Sequence, residues 1–387
     1  MMEDNNTMDR EGMHQDSDKK KPAGILLPIL VALNIMFAAI LIFTAYAGHI
    51  NPDEMPFAGL AGMTFAGWCV VNVVMLVIDL ICSRRGRILS VLPLGALISC
   101  VGPMWTFCPL NIGSHEVAPQ DSARIFKVMS YNVLSFHDNE PDKTIEGFNR
   151  TAHTILHSGA DVVIIAEFDN QGALSTFVPQ SQIDSLNAIY PYFVLGKHGN
   201  ACYSKTPILY AVLPSQKYAS GSHEVYRTII DGRGIMIFGV HLVSFGLDAD
   251  DKSLYHDITE METKSVHVSD VRSRLIEKLY GAFKQRNVQA QYIREYVEQM
   301  PGENVIVCGD FNDVPGCRAI KVLEEAGLKD AYSEVGCGPM ITFNDSRLFF
   351  RIDHVLYSGA FRPVCIERGN VRSSDHYPLL TTFIWNE

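Results

Sequence analysis

The chain has 387 residues, of which 47% are hydrophobic, a mean hydropathy of +0.08 and a formal net charge of −11. At roughly 150 residues per domain this length allows two or three domains, and the apolar excess is gathered near the start. From Ser122 onward, the acidic balance and the lack of a basic run argue against tight, non-specific duplex binding through many phosphate contacts. A metal-lined site that cuts nucleic acid with few basic contacts stays open.

Residues 1–23 form a polar tail ending near Lys19-Lys20-Lys21. Gly24 to Gly48 then carries no charge, and at about 1.5 Å per helical residue it reaches across a hydrocarbon core of about 30 Å. Pro56 to Cys82 and Ile88 to Pro109 are also long and apolar, so three transmembrane helices are expected over residues 24–110. Ala45-Tyr46-Ala47 resembles a signal-peptidase site, but the apolar stretch before it exceeds the usual signal length, which favours a retained helix. Within these segments Asn34 reads as a helix contact, and Asp79 as an interfacial carboxylate facing Arg84, Arg85 and Arg87. Basic residues flank the first helix and fill the second turn, whereas the loop from His49 to Glu54 has none. The positive-inside rule therefore sets the N-terminus in the cytoplasm and everything after the third helix outside.

Residues 111–123 read as a linker, and residues 124–387 as one large domain. Short β-branched runs there end in polar groups. Phe126 to Tyr131 leads to Asn132, Asp161 to Ala166 to Glu167, Ile235 to Val240 to His241, and Val305 to Cys308 to Gly309-Asp310-Phe311-Asn312. A further run carries Arg351-Ile352-Asp353-His354, and Ser373-Ser374-Asp375-His376 lies near the C-terminus. Each polar group closes or interrupts an apolar strand, so a fold that gathers the strand ends gathers the chemistry. Thr144 to His157, with Ile145, Phe148, Ala152 and Ile155, and the stripe Ala290, Ile293, Val297 and Met300 have helical spacing and read as core faces. Alternating strands and helices fit an α/β fold, a two-layer β-sandwich flanked by helices. Phe245 to Ser269 is polar and follows His241, as a solvated loop or one that gates the site. The nine cysteines form no zinc or redox motif, Cys308 reads as a core residue, and one disulfide outside the membrane stays open.

The set Ser130-Tyr131-Asn132-Val133, Glu167, His241-Leu242, Gly309-Asp310-Phe311-Asn312, Arg351-Ile352-Asp353 and Ser374-Asp375-His376 resembles the endonuclease/exonuclease/phosphatase superfamily, in that family's order, from about Arg124 to the C-terminus. The group includes enzymes similar to pancreatic deoxyribonuclease, abasic-site endonucleases, neutral sphingomyelinases and inositol polyphosphate 5-phosphatases. The resemblance implies a four-layer α/β/β/α fold and a magnesium-dependent hydrolase. It departs from the family at Ala166, often Gln in relatives, and at Lys205 in Tyr203-Ser204-Lys205-Thr206-Pro207-Ile208, where relatives carry Arg.

Phosphoester hydrolysis develops charge on the phosphate and the leaving oxygen, which a hard cation with several waters compensates. Glu167 is the first expected ligand for Mg²⁺, with Mn²⁺ as the alternative; Asp310, Asp375 and Asn132 complete the metal set. Asp310, His376, Asp353, His241, Asn312 and Asn132 are the expected catalytic groups. The resemblance supports Asp353 orienting His376, Asp310 positioning or deprotonating water, and His241 at the scissile phosphate. His354, facing away from its neighbour Asp353, is expected to be structural. The sequence thus reads as a membrane-anchored phosphodiesterase acting on nucleic acid or a phospholipid-like substrate. A phosphomonoesterase and a non-catalytic tethered binding module are the alternatives.

Overall fold

The computed structural model describes residues 23–82, 84–113, 124–140, 145–168, 172–197, 199–211, 223–246, 268–345 and 348–387. The strands of the large domain are β1 (Ile125–Asn132), β2 (Val162–Ala166), β3 (Tyr192–Leu195), β4 (Ala201–Ser204), β5 (Ile208–Ala211), β6 (His223–Ile230) and β7 (Arg233–His241). They continue as β8 (Val305–Asp310), β9 (Lys329–Asp330), β10 (Phe343–Asp345), β11 (Leu348–Phe350), β12 (Asp353–Ser358), β13 (Phe361–Arg368) and β14 (Leu379–Trp385). Two six-stranded sheets form, in the orders β13-β14-β1-β2-β4-β3 and β5-β6-β7-β8-β12-β9, with β10-β11 as a separate hairpin.

Strand periodicity explains the layers. Phe126 and Val128 of β1, Ile164 of β2, Ile237 of β7 and Ile306 of β8 point into the core between the sheets. Their neighbours Met129, Val163 and Ile165 point outward against Ala152 and Ile155. On the other sheet Phe238, Val305 and Val307 meet Ala290 and Ile293 of the helix Val268–Glu298. Strands buried on both faces read as continuous apolar runs, as these do. The expected sandwich with helices outside is therefore present. The stripe Ala290, Ile293 and Val297 is buried as expected.

The other expected stripe forms only in part. Its helix spans Arg150–Leu156, capped by the Asn149 side chain accepting from Ala152 N. Ile145 is 57% exposed and pairs with Phe148 in an isolated bridge, because Gly147 at φ +72° turns the chain before the cap. Asn111, expected in the linker, donates to the carbonyl oxygens of Ser333 and Gly336; residues 114–123 lie outside the described residues.

The N-terminal region departs from three continuous helices. Ala23–Tyr46 is unbroken, and the segment Leu27–His49 is, among the described residues, the one helix long and apolar enough to cross a membrane. The second expected span is split into Phe57–Met63 and Phe65–Cys82, bent by 56°, and the third is bent by 59° between Ser99 and Val101. Each pair is long enough only if counted as one span. Asp79 is fully buried and accepts from Asn34 Nδ2 at 3.3 Å. Asn34 is thus the helix contact expected of it, whereas Asp79 is buried between helices and not interfacial; Asn34 meets one of its carboxylate oxygens, and the other has no partner among the described residues. Cys202, Cys308, Cys317, Cys337 and Cys365 of the enzyme domain are free, and Cys308 is buried in the core.

Candidate phosphoesterase site

Strand register assembles the site. In the parallel pair β7–β8, His241 stands beside Asp310, and in the antiparallel pair β8–β12, Asp310 stands beside Asp353. Across the sandwich, Asn132 ends β1 and pairs with Ala166, whose successor is Glu167. Gly309 has φ +145°, and a Cβ there would lie 1.9 Å from the Val240 carbonyl oxygen. Only glycine allows β8 to lie against β7 at this point and still deliver Asp310 to the rim. Glu167 and Asn312 hold left-handed φ values of +53° and +50°, a cost that non-glycine residues bear chiefly at functional positions.

The side chains interlock. Asn132 Nδ2 donates to Glu167 Oε1 at 3.0 Å and to Asp310 Oδ2 at 3.2 Å. Its oxygen is turned to Leu134 N, so Asn132 faces the two carboxylates with its amide nitrogen, not with the oxygen expected of a metal ligand. His241 Nε2 lies 3.5 Å from Glu167 Oε1 and 3.7 Å from Asp310 Oδ2. His376 Nδ1 is 2.8 Å from Asp353 Oδ2, and its Nε2 is 3.5 Å from Asp310 Oδ2. Asn312 donates from Nδ2 to Leu242 O, while its backbone N–H donates to Asp310 Oδ1. Asp375 lines the same cavity of about 240 Å³, together with Glu167, His241, Asp310, Asn312 and His376. All the expected site residues therefore meet at one rim.

Charge follows from this crowding. Burial would pull the His376 imidazole down, but Asp353, Asp310 and Asp375 outweigh it and push the pKa up to about 10. Burial pushes the Asp353 carboxyl up to about 6, against the pull of His376. The surrounding carboxylates thus favour the protonated imidazole, in keeping with the expected orientation of His376 by Asp353. Burial, opposed by His376 and reinforced by the Glu167 charge, raises the Asp375 carboxyl.

Other contacts carry no signal in the sequence. Thr342 Oγ1 accepts the N–H groups of Ile352 and Asp353 at 3.0 Å each, fixing the start of β12. The Ser374 hydroxyl donates to Asn132 O and accepts His376 N–H, tying the loop before β14 to the end of β1 in the same sheet. Arg351 is not at the rim: it donates to Asp330 Oδ2 at 2.8 Å and to Thr106 O at 3.0 Å. Lys205 pairs with Asp161, whose other oxygen accepts Lys127 N. His354 donates no chemistry to the cavity; it is buried, with Nε2 at 2.9 Å from Asp313 O. Of the expected gating loop, Phe245 and Gly246 line the cavity, and residues 247–267 lie outside the described residues.

The donor set fits a hard divalent cation. Glu167, Asp310 and His241 each offer a ligand atom within 4.8 Å of the others, and converging carboxylates with no Lys or Arg in the cavity lining among the described residues would be compensated by a cation. Oxygen donors with an imidazole at the margin suit Mg²⁺ or Mn²⁺. Two sheets that bring such a centre and a carboxylate-held imidazolium to one mouth have the make-up of a metal-dependent phosphoesterase.

Comparison with known proteins agrees. The model of the Endonuclease/Exonuclease/phosphatase family matches residues 129–376, well over half of the chain, and the chain belongs to that family. Residues 27–107 match a Domain of unknown function (DUF8431). Uncharacterized protein YbhP of Escherichia coli strain K12 is 28% identical over 201 residues, covering 50% of this chain and 64% of that protein. The chain therefore spans less than two thirds of that relative's length. Among solved structures, the endonuclease/exonuclease/phosphatase from Beutenbergia cavernae is 19% identical with a TM-score of 0.45, covering 68% of this chain and 72% of that one. Truncated Caenorhabditis elegans TDP2 is 18% identical with a TM-score of 0.43, covering 68% and 99%.

Proposed function

We propose that the protein is a membrane-anchored, divalent-metal-dependent phosphodiesterase. The observation that carries this reading is the meeting of Asn132, Glu167, His241, Asp310, Asp353 and His376 at one rim, within hydrogen-bonding or ion-pairing reach of one another. Glu167, Asp310 and Asp375 would hold a hard cation, which when bound would supply positive charge to the phosphate and the leaving oxygen. Asn132 orients Glu167 and Asp310 through its amide nitrogen. Asp310 positions the attacking water and takes its proton; the water oxygen bonds to phosphorus as the ester P–O bond breaks. His376, held cationic by Asp353, keeps Asp310 in place and faces the phosphate with positive charge. His241, on the open side of the rim, serves the leaving oxygen.

A diester is favoured over a monoester because the cavity lining among the described residues contains no Lys or Arg to meet a second phosphate charge. In detergent, the full-length chain with Mn²⁺ is expected to hydrolyse methyl p-nitrophenyl phosphate faster than p-nitrophenyl phosphate. Turnover of the monoester alone would transfer the assignment to the phosphomonoesterases. Three crossings, with each bent helix pair forming one span, set the N-terminus in the cytoplasm and the enzyme domain outside, in accord with the basic flanks at Lys19 to Lys21 and Arg84 to Arg87. The packing of Leu41 and Ala45 against Phe65 and Ala96 supports a first helix that is retained.

A further inference from the structure

The N-terminal region is joined to the enzyme domain at each of its outer ends. A Cβ on Gly48 would lie 1.9 Å from the Gly316 carbonyl oxygen, so the end of the first helix meets the turn after β8 backbone to backbone. Trp105 Nε1 donates to Ser333 O at 2.9 Å, and Thr106 O accepts from Arg351. Between them, Met63 ends the short helix Phe57–Met63 at the bend and packs with Phe107, Phe343 and Phe350 around Val314 and Ile352. Met63 also lines the catalytic cavity, beside its packing neighbours Phe343 and Phe350 and in the same lining as Leu348, Glu167, Asp310 and His376.

The cavity is therefore polar at its floor and apolar on the side of the N-terminal region. His49, Met63 and Phe107 end the apolar helices at the enzyme domain, whereas Arg84 to Arg87 join them at the opposite end. If these helices cross a bilayer, the cavity mouth lies at its surface, and a side chain from the anchor is part of the substrate's wall. Among the described residues, a polynucleotide finds no cation in the lining except imidazoles, and an overall charge of −11 opposes its approach.

We propose that Met63 determines specificity, and that the site takes a phosphoester carried on an alkyl or acyl chain, with the phosphate over Glu167 and Asp310 and the chain against Met63, Phe343 and Phe350. This rests on the phosphoesterase reading above. The test uses the full-length chain in mixed micelles with Mn²⁺ and three p-nitrophenyl phosphodiesters of one leaving group: methyl, dodecyl and thymidine 5′. Wild type is expected to prefer dodecyl to methyl in kcat/KM by at least roughly tenfold, the scale of apolar discrimination in a pocket. Met63→Gln should lower that dodecyl-to-methyl ratio roughly tenfold, and Met63→Leu should keep it. A wild-type ratio near one, a preference for the thymidine ester, or a ratio indifferent to Met63→Gln would overturn the inference while leaving the phosphoesterase reading intact. Failure to cleave any of the three contradicts that reading itself, and the inference with it.

Discussion

His376 and Asp353 show how a side chain's charge is decided by what surrounds it. Two further carboxylates face the imidazole and raise its pKa against the pull of burial. If, as proposed, the pair acts as a unit with Asp310, which lies 3.5 Å from His376 Nε2, the losses should not add. His376→Ala and Asp353→Asn are each expected to lower kcat by roughly 10²-fold or more, with KM little changed, and the double variant should fall little below the worse single one. Steady-state kinetics on one phosphodiester checks this. Multiplicative losses would mean that the two residues work independently.

The pairing of β8 with β12 sets the floor of the site and also buries a titratable group on the far face. His354 donates from Nε2 to Asp313 O, while its Nδ1 has no partner in the core. A proton on Nδ1 would therefore be unsolvated and unpaired; burial, then the nearby Arg351 charge, lowers the pKa from 6.5 to about 4. The folded-state value lies below the unfolded one, so the unfolded chain binds the extra proton. The stabilisation is complete above pH 6.5 and is lost as pH falls toward 4, amounting to about 3 kcal/mol over that window. Thermal melts of wild type should fall more steeply between pH 6.5 and 4.5 than those of His354→Gln, whose amide can still donate to Asp313 O. Parallel pH profiles would contradict the assignment.

The elements also explain what could be read in advance. Runs such as Val162 to Ile165 are apolar on both faces, so their identity as buried strands, and the polar residue closing each, were legible from residue order alone. The register that sets Asp310 between His241 and Asp353 was not, because it depends on which strands become neighbours across long separations in sequence. The helix expected from Thr144 was too long because apolar spacing continued through Gly147, whose positive φ ends the pattern. The bends at Thr64 and near Cys100 leave hydropathy untouched, so the spans looked continuous. Met63 was equally silent: a methionine in an apolar segment gives no sign that it reaches a cavity formed by residues about a hundred and more positions later.

For the whole molecule, the N-terminal region and the enzyme domain share packing, hydrogen bonds and one cavity wall, so the proposed topology and the proposed catalysis bear on each other. A reporter fused after Glu387 should be active only outside the cytoplasm; a cytoplasmic C-terminus would contradict the three-span topology. The central claim, that this rim holds a hard divalent cation that hydrolysis requires, is tested most directly by phosphodiester turnover of Glu167→Gln across a Mg²⁺ titration, beside wild type with and without EDTA. The account predicts that wild-type turnover is abolished by EDTA, and that Glu167→Gln loses roughly 10²-fold or more and is only partly restored at high Mg²⁺. Turnover that survives both the substitution and EDTA would contradict it.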